Sequence, residues 1–182
     1  MAKLYTAKGD GGDTALMGGK AKVPKDHLRI AALGEVDELN ATIGVALEHV
    51  PAEVAPVLRE VQNALFTVGA ELSAAGGKAR AQKLPVLGAD RVTHLEAAMV
   101  PFDIGEIKEF VMPRGHGGAA HLHHARTVAR RAERALVALA QKEDVGAPLL
   151  AYLNRLSSLL FLLAVWCQRR TGALESHPTY PR

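Results

Sequence analysis

Between Ala147 and Arg170 lies the segment that most narrows what this chain can fold into. It reads as a helix, apolar almost all round through Leu159-Leu160-Phe161-Leu162-Leu163. A helix with no polar side belongs at the centre of a bundle or at a subunit contact. Its longest apolar run, Leu159 to Cys167, is far too short to span a bilayer, so no membrane partner is expected. The other periodic segments supply its neighbours. From Gly34 to Val50, Val36, Leu39, Ile43, Leu47 and Val50 recur at three and four residues, and Pro51 ends the pattern. On that helix Asp37, Asn40, Gly44 and Glu48 form a second, polar face. Residues 52–73 carry Val54, Leu58, Val61, Leu65, Val68 and Leu72 in a near-heptad seam, with Pro56 in the first turns. A shorter helix over 89–100 has Val92, Leu95 and Met99, and a longer one over 119–141 ends at Asp144-Val145-Gly146. The spacing predicts an all-α bundle of about five helices.

Composition agrees and excludes other classes. The 182 residues are rich in Ala and Leu but only 4% aromatic, which disfavours a β-sandwich. One domain is expected, with a glycine-rich arm over 1–33, the bundle over 34–170 and a disordered tail over 171–182. The lone Cys167 rules out an internal disulfide framework and reads as a buried packing residue in a reducing compartment. Met1-Ala-Lys-Leu-Tyr5 has no apolar signal core, so a cytoplasmic protein is expected. A net charge of +3 is too weak to argue for nucleic acid in bulk. The basic residues cluster instead, in Lys20, Lys22 and Lys25 and in a row of arginines.

That row is Arg126-Thr127-Val128-Ala129-Arg130-Arg131-Ala132-Glu133-Arg134. On a helix, Arg126, Arg130, Glu133 and Arg134 share one side, while Val128, Leu136 and Leu139 provide the packing stripe. Guanidinium groups are permanent cations with a planar fork suited to phosphate or carboxylate. The row fits a preorganised anion site; by itself it equally fits a salt-bridged, solvated face. The arm, with Gly9, Gly11, Gly12, Gly18 and Gly19, could aim bare N–H groups at a phosphate or be simply mobile. It matches neither a Walker A loop nor a Rossmann fingerprint. His121, His123 and His124 do not converge as zinc ligands would, because His123 leaves the face that the other two share; no metal site is read there.

Five motifs occur in order: Tyr5-Thr6-Ala7-Lys8-Gly9-Asp10-Gly11-Gly12-Asp13-Thr14, Gly34-Glu35-Val36-Asp37-Glu38-Leu39-Asn40, Phe110-Val111-Met112-Pro113-Arg114-Gly115, the arginine row, and Asn154-Arg155-Leu156-Ser157. Together they closely resemble the PduO-type ATP:corrinoid adenosyltransferase family, over nearly the whole chain up to the tail. The resemblance implies a ferritin-like, cobalamin adenosyltransferase-type five-helix bundle. It further implies a homotrimer with active sites between subunits. The implied substrates are ATP and cob(I)alamin, with Mg2+ as cofactor. The implied products are adenosylcobalamin and inorganic triphosphate. A flavin reductase and an adenosylcobalamin-dependent acceptor enzyme are the implied protein partners.

By motif position, Thr6, Lys8, Gly9 and Thr14 would line the phosphates, and Lys25 would add a point charge. Arg130 would contact the triphosphate, with Arg131 and Arg134 beside it, and Glu133 and Asn154 would suit ribose and adenine. Asp37 matches the family carboxylate that pairs with the arginine at Arg126, shaping the corrinoid side across an interface. Phe110 matches the aromatic that lies on the corrin face and excludes the lower axial ligand; without the family it would be read as a core residue.

The chain departs from the pattern at three places. Ala7 stands where the family usually has Lys, the spacing from Gly18-Gly19 to Lys25 is one residue longer, and Arg114 replaces a common glycine. Two other classes stay in view. A corrinoid carrier without turnover is disfavoured by the intact Asp37, Arg126, Arg130 and Glu133. A nucleic-acid-binding helical protein is disfavoured by the few aromatics beside the basic residues.

Overall fold

The protein is described from a computed structural model covering residues 5–19, 22–74 and 78–180. Lys20 of the basic cluster, the Gly76-Gly77 pair and the last two residues of the tail lie outside that range. Five helices make up the molecule: α1 (Leu28–Leu47), α2 (Ala55–Ser73), α3 (Ala89–Ala97), α4 (Ala119–Ala140) and α5 (Ala147–Arg170). A two-stranded antiparallel hairpin, β1 (Asp13–Ala15) and β2 (Lys22–Pro24), precedes them.

Cross-helix contacts give the order and direction of the bundle. Arg29 meets Glu143, Arg131 meets Glu35 and Glu38, and His49 stacks on His121, so α1 and α4 run antiparallel. Gln62 bonds the carbonyl of Asn40, and Arg29 that of Leu72, setting α2 antiparallel to α1. Asn154 meets Glu133, which turns α5 back along α4. Arg155 meets Glu96, and Phe102 lies edge-on to Trp166, which places α3 on the far side of α5. The sequence of neighbours is therefore α2, α1, α4, α5, α3.

The core is aliphatic and continuous, with Leu39, Ile43, Leu58, Leu65, Leu122, Leu136, Leu153, Leu156 and Leu160 essentially inaccessible. α5 is 24 residues long and apolar enough to cross a bilayer by length and composition. Twelve of those residues are buried in the protein, and Asn154, Arg155 and Ser157 interrupt its apolar run, so packing explains its composition. Cys167 is buried with them, and burial pushes its thiol up to about 12, which leaves it un-ionised at neutral pH.

Two boundaries differ from the periodicity reading. α1 starts at Leu28 rather than Gly34, because the His27 ring nitrogen Nδ1 accepts from the Arg29 amide as a cap. Arg29 is then 2% exposed, its guanidinium held by Glu143 at 2.7 and 3.0 Å and by the Leu72 carbonyl at 3.1 Å. A buried cation needs such complete pairing, and this one locks the start of α1 to the ends of α2 and α4. The segment after α5, expected to be a disordered tail, lies back on the connector before α4. The Met112 amide donates to the Ser176 carbonyl at 2.8 Å.

Gly118 starts α4 in the left-handed region at φ +86°, and a Cβ there would lie 2.8 Å from Val50 and 2.9 Å from the His49 carbonyl. Only glycine lets the end of α1 come this close to α4.

Candidate functional site

The arginine row is helical as its spacing predicts, and its members divide by partner. Arg131 is engaged within the chain: its Nε bonds Glu35 at 2.5 Å and its Nη2 bonds Glu38. Glu35 and Glu38 stand three apart on α1, so one face presents both carboxylates to one guanidinium. Those hydrogen bonds hold the Arg131 cation still more firmly charged. This is the salt-bridged arrangement that the row allowed, at one of its four arginines.

Arg126 and Arg130 differ. No carboxylate pairs with either among the described residues. Arg126 is half-buried and its Nε, fully shielded, has no hydrogen-bond partner. Burial, and then the cation of Arg130 one turn on, both disfavour its charged form. Two neighbouring guanidiniums without a counter-ion make a site that lacks an anion. Arg134 is exposed and donates to the Arg130 carbonyl at 3.1 Å, which leaves most of its fork free to face outward.

Beside the row, Asn154 Nδ2 of α5 donates to Glu133 at 2.8 Å, and Arg155 donates to Asn154 Oδ1 at 3.0 Å while pairing with Glu96. Both faces of the Asn154 amide are thus oriented at the protein surface. The motif positions Glu133 and Asn154, which lie 21 residues apart in sequence, are brought into direct contact.

Asp37 is exposed on α1 and no cation pairs with it among the described residues. It lines an apolar groove of about 590 Å³ between α1 and α2, together with Ile30, Leu33, Gly34, Phe66 and Gly69. Phe66 is 73% exposed there. An open apolar groove of this kind, with an unpaired acid in it, marks a contact surface. Asp37 and Arg126 do not meet within one chain.

The arm is ordered around the hairpin. Thr14 pairs with Val23, the Lys25 amide donates to the Gly12 carbonyl at 2.8 Å, and Lys22 Nζ reaches the Lys8 carbonyl at 2.9 Å. Lys25 Nζ lies over Gly9, where an added Cβ would be 3.4 Å away. Thr6 accepts weakly from the Lys8 amide at 3.4 Å, and Ala7 between them sits at φ +56°, a strained region for a non-glycine residue. Thr6, Lys8, Gly9, Thr14 and Lys25 therefore gather in one loop cluster despite the irregular spacing to Lys25. The Met17 amide fastens this arm to the end of α2 through the Ser73 carbonyl at 2.8 Å.

Phe110 is not a core residue. It is 80% exposed on the connector before α4. With Ile107, Phe161, Pro178 and Tyr180 it lines a second cavity, of about 650 Å³. Such exposure of a large aromatic beside an aromatic-lined hollow suits a flat apolar ligand. Among the described residues no three His, Cys, Asp or Glu side chains converge as a metal cage.

His123, by contrast, is 2% exposed, tilted against Phe161, with no partner at Nδ1. Burial, and secondarily the Arg126 cation, hold its pKa down to about 4. A histidine whose folded pKa lies below its unfolded value gives stability that is complete above about pH 6.5 and is lost as pH falls toward 4. Denaturant titrations from pH 7 to 4 should show this loss, at no more than about 1.4 kcal/mol per pH unit. His123→Leu should flatten that slope; an unchanged slope would place the acid sensitivity elsewhere.

Glu35 and Glu38 had no role from the motif alone, although their i, i+3 spacing inside Gly34–Asn40 carries the signal. The Arg155–Glu96 pair had no local signal, because its members lie 59 residues apart.

Comparison with known proteins follows the same lines. A family model described as cobalamin adenosyltransferase matches residues 4–167. A "Cobalamin adenosyltransferase" of Cupriavidus metallidurans is 40% identical over 179 residues, covering 96% of this chain and 93% of the relative. A "Corrinoid adenosyltransferase" of Bacillus subtilis is 38% identical over 175 residues, covering 93% and 89%. Among solved structures, a variant PduO-type ATP:corrinoid adenosyltransferase from Lactobacillus reuteri, complexed with cobalamin and ATP, is 30% identical with a TM-score of 0.88. That match covers 97% of this chain and 96% of the other. With the matched length, the five-helix bundle and the grouped motif residues in agreement, the chain belongs to the PduO-type corrinoid adenosyltransferase family.

Proposed function

We infer that the protein transfers the 5′-deoxyadenosyl group of ATP to the Co(I) centre of a corrinoid such as cob(I)alamin. The observation that carries this is Arg130, an exposed cation fixed on α4 with no carboxylate partner among the described residues. In the reaction the Co(I) lone pair forms a bond to C5′ of ATP. The C5′–O bond breaks, and its electrons leave with inorganic triphosphate. Negative charge grows on that leaving group, so fixed guanidiniums there lower the barrier. Arg130 takes the triphosphate, with Arg134 beside it. Arg131, clamped by Glu35 and Glu38, keeps the row in register. Thr6, Lys8, Gly9, Thr14 and Lys25 form the second bank of phosphate contacts. Glu133 and Asn154 exchange their mutual hydrogen bond for the ribose and adenine. Phe110 lies on the corrin face, where displacing the axial donor eases reduction of Co(II).

The donor set suits magnesium as an ion carried by the nucleotide. Mg2+ takes its oxygens largely from phosphates and water, and needs only one or two from protein. With no three-residue cage among the described residues, the exposed Asp10 and Asp13 of the arm, with the Thr6 hydroxyl, are the oxygens that would hold it. It would supply charge neutralisation on the triphosphate.

We further infer that the chain works as a homotrimer with its sites between subunits. Asp37 and Arg126 each lack a partner among the described residues, and the groove beside Asp37 is open and apolar. A second copy would supply the missing charge to both. The Co(I) electron comes from a reductase, of the flavin type in this reading, and the product passes to an adenosylcobalamin-dependent enzyme. Such chemistry belongs in the reducing cytoplasm.

The test mixes protein, ATP, magnesium and chemically reduced cobalamin without oxygen. The expected result is a photolabile adenosylated corrinoid with stoichiometric triphosphate. Absence of both products overturns the reading. Tight corrinoid binding without turnover would favour the carrier class instead.

A further inference from the structure

One guanidinium ties together the two segments that lead to the Phe110 cavity. Arg169, in the last turn of α5, grips Glu175 of the tail with two hydrogen bonds, Nε at 2.9 Å and Nη2 at 2.5 Å. Its remaining Nη1 donates at 2.5 Å to the carbonyl of Ile104, in the connector that leads to Phe110. The Glu175 side chain is only 9% exposed, and the Arg169 cation holds its carboxyl down at about 2.

From that clamp the tail runs antiparallel to the connector and is fastened to it residue by residue. Gln168 Nε2 donates to the Leu174 carbonyl at 3.3 Å, and Gln168 Oε1 accepts from the His116 amide at 2.7 Å. Ser176 accepts at its carbonyl from the Met112 amide at 2.8 Å and at its hydroxyl from Arg114 Nε at 2.9 Å. His177 Nδ1 lies 2.9 Å from the carbonyl of Phe110 itself. The Phe110 ring, 80% exposed, has little packing of its own to fix its direction. Its backbone is instead held by contacts that all trace back to the end of α5. Arg114, the residue that departs from the family's glycine, is one of these fasteners.

We propose that Arg169 and Glu175 are positioning residues for the reaction: their ion pair straps residues 173–177 against the 104–114 connector and so fixes Phe110 over the corrinoid. The proposal rests on the role given to Phe110 above. A loop that carries a ligand-displacing group must hold it within a fraction of an ångström, and a misplacement of about 1 Å can cost up to a hundredfold in rate. The Arg169 pair does this from a distance, touching neither substrate. Because Glu175 stays ionised down to about pH 2, the strap is in place across the whole neutral and mildly acidic range.

The experiment uses full-length protein and the variants Arg169→Met, Glu175→Gln and Arg169→Lys. Amide hydrogen exchange at Met112, whose donor bond reports the strap directly, is followed by NMR or mass spectrometry. It should speed about tenfold or more in Arg169→Met and Glu175→Gln, with exchange in the α1 and α4 core unchanged. Kinetically, both variants should lose about tenfold or more in kcat with Co(II) corrinoid plus reductant, while the KM for ATP holds. Arg169→Lys, which keeps the charge but not the planar fork, should recover part of that loss. In a Phe110→Ala background, Arg169→Met should add little, because the residue it positions is gone. Unchanged Met112 exchange overturns the strap. Faster exchange with unchanged kinetics, or losses that simply add to that of Phe110→Ala, overturns the positioning role. If the unaltered protein shows no adenosyl transfer, the functional reading fails and the positioning role with it, whereas the exchange result, which needs no turnover, still decides the strap.

Discussion

Arg130→Ala is expected to lower kcat/KM for ATP by roughly a hundredfold to a thousandfold, the loss typical of removing one preorganised donor from developing negative charge. The size follows from where Arg130 stands. It is exposed on α4 one turn from Arg126, with no carboxylate among the described residues to share its charge. Its neighbour Arg131 is bound to Glu35 and Glu38 and cannot swing across without stranding two acids. Arg134 is tethered to the Arg130 carbonyl and offers only partial substitution. Arg130→Lys should recover little, since a point charge does not reproduce the planar fork. Steady-state kinetics with saturating reduced corrinoid check this. A loss under threefold would remove Arg130 from the triphosphate site and return the row to a structural role. The thermal midpoint should barely move, because Arg130 makes no ion pair among the described residues.

The second large effect concerns Asp37 and Arg126. Removing one member of a desolvated ion pair strands the other, at a cost of about 3–5 kcal/mol. Asp37→Arg and Arg126→Asp should therefore each weaken self-association severely, read by sedimentation, and abolish turnover. The informative step is mixing. If the pair forms between copies, combining the two singly altered proteins restores opposite charges across part of the interfaces, and association returns. An intrachain pair could not respond to mixing. Among the described residues Asp37 and Arg126 do not meet within the monomer, and Arg126 keeps a shielded, unpartnered Nε, which favours recovery. No recovery, with both variants still folded by circular dichroism, would sink the intersubunit pair.

The sequence by itself determined the bundle, and it did so through local periodicity. Leu58, Val61, Leu65, Val68 and Leu72 recur at helical spacing, and all are buried in the seam of α2. The same logic placed Arg126, Arg130 and Arg134 on α4 and Asn154 on α5, because motif spacing within a helix is spacing on its surface. Helix starts were less legible. α1 begins at Leu28 because of a histidine cap and a buried Arg29, neither of which belongs to the common capping pattern.

What tertiary structure alone decided was partnership. Nothing in the order Arg130-Arg131 says that one is free and the other held. That depends on α1 crossing α4 so that Glu35 and Glu38 both meet Arg131. Nor does Phe110 announce its exposure: a lone aromatic in a connector reads as core until the chain places it 80% in solvent. The tail was the largest difference. Its Pro and polar residues read as disorder, yet Glu175 finds Arg169 only six residues back and is nearly buried by it. Periodicity records which side chains leave water along one element. It carries no information on which charge from another element will be waiting there.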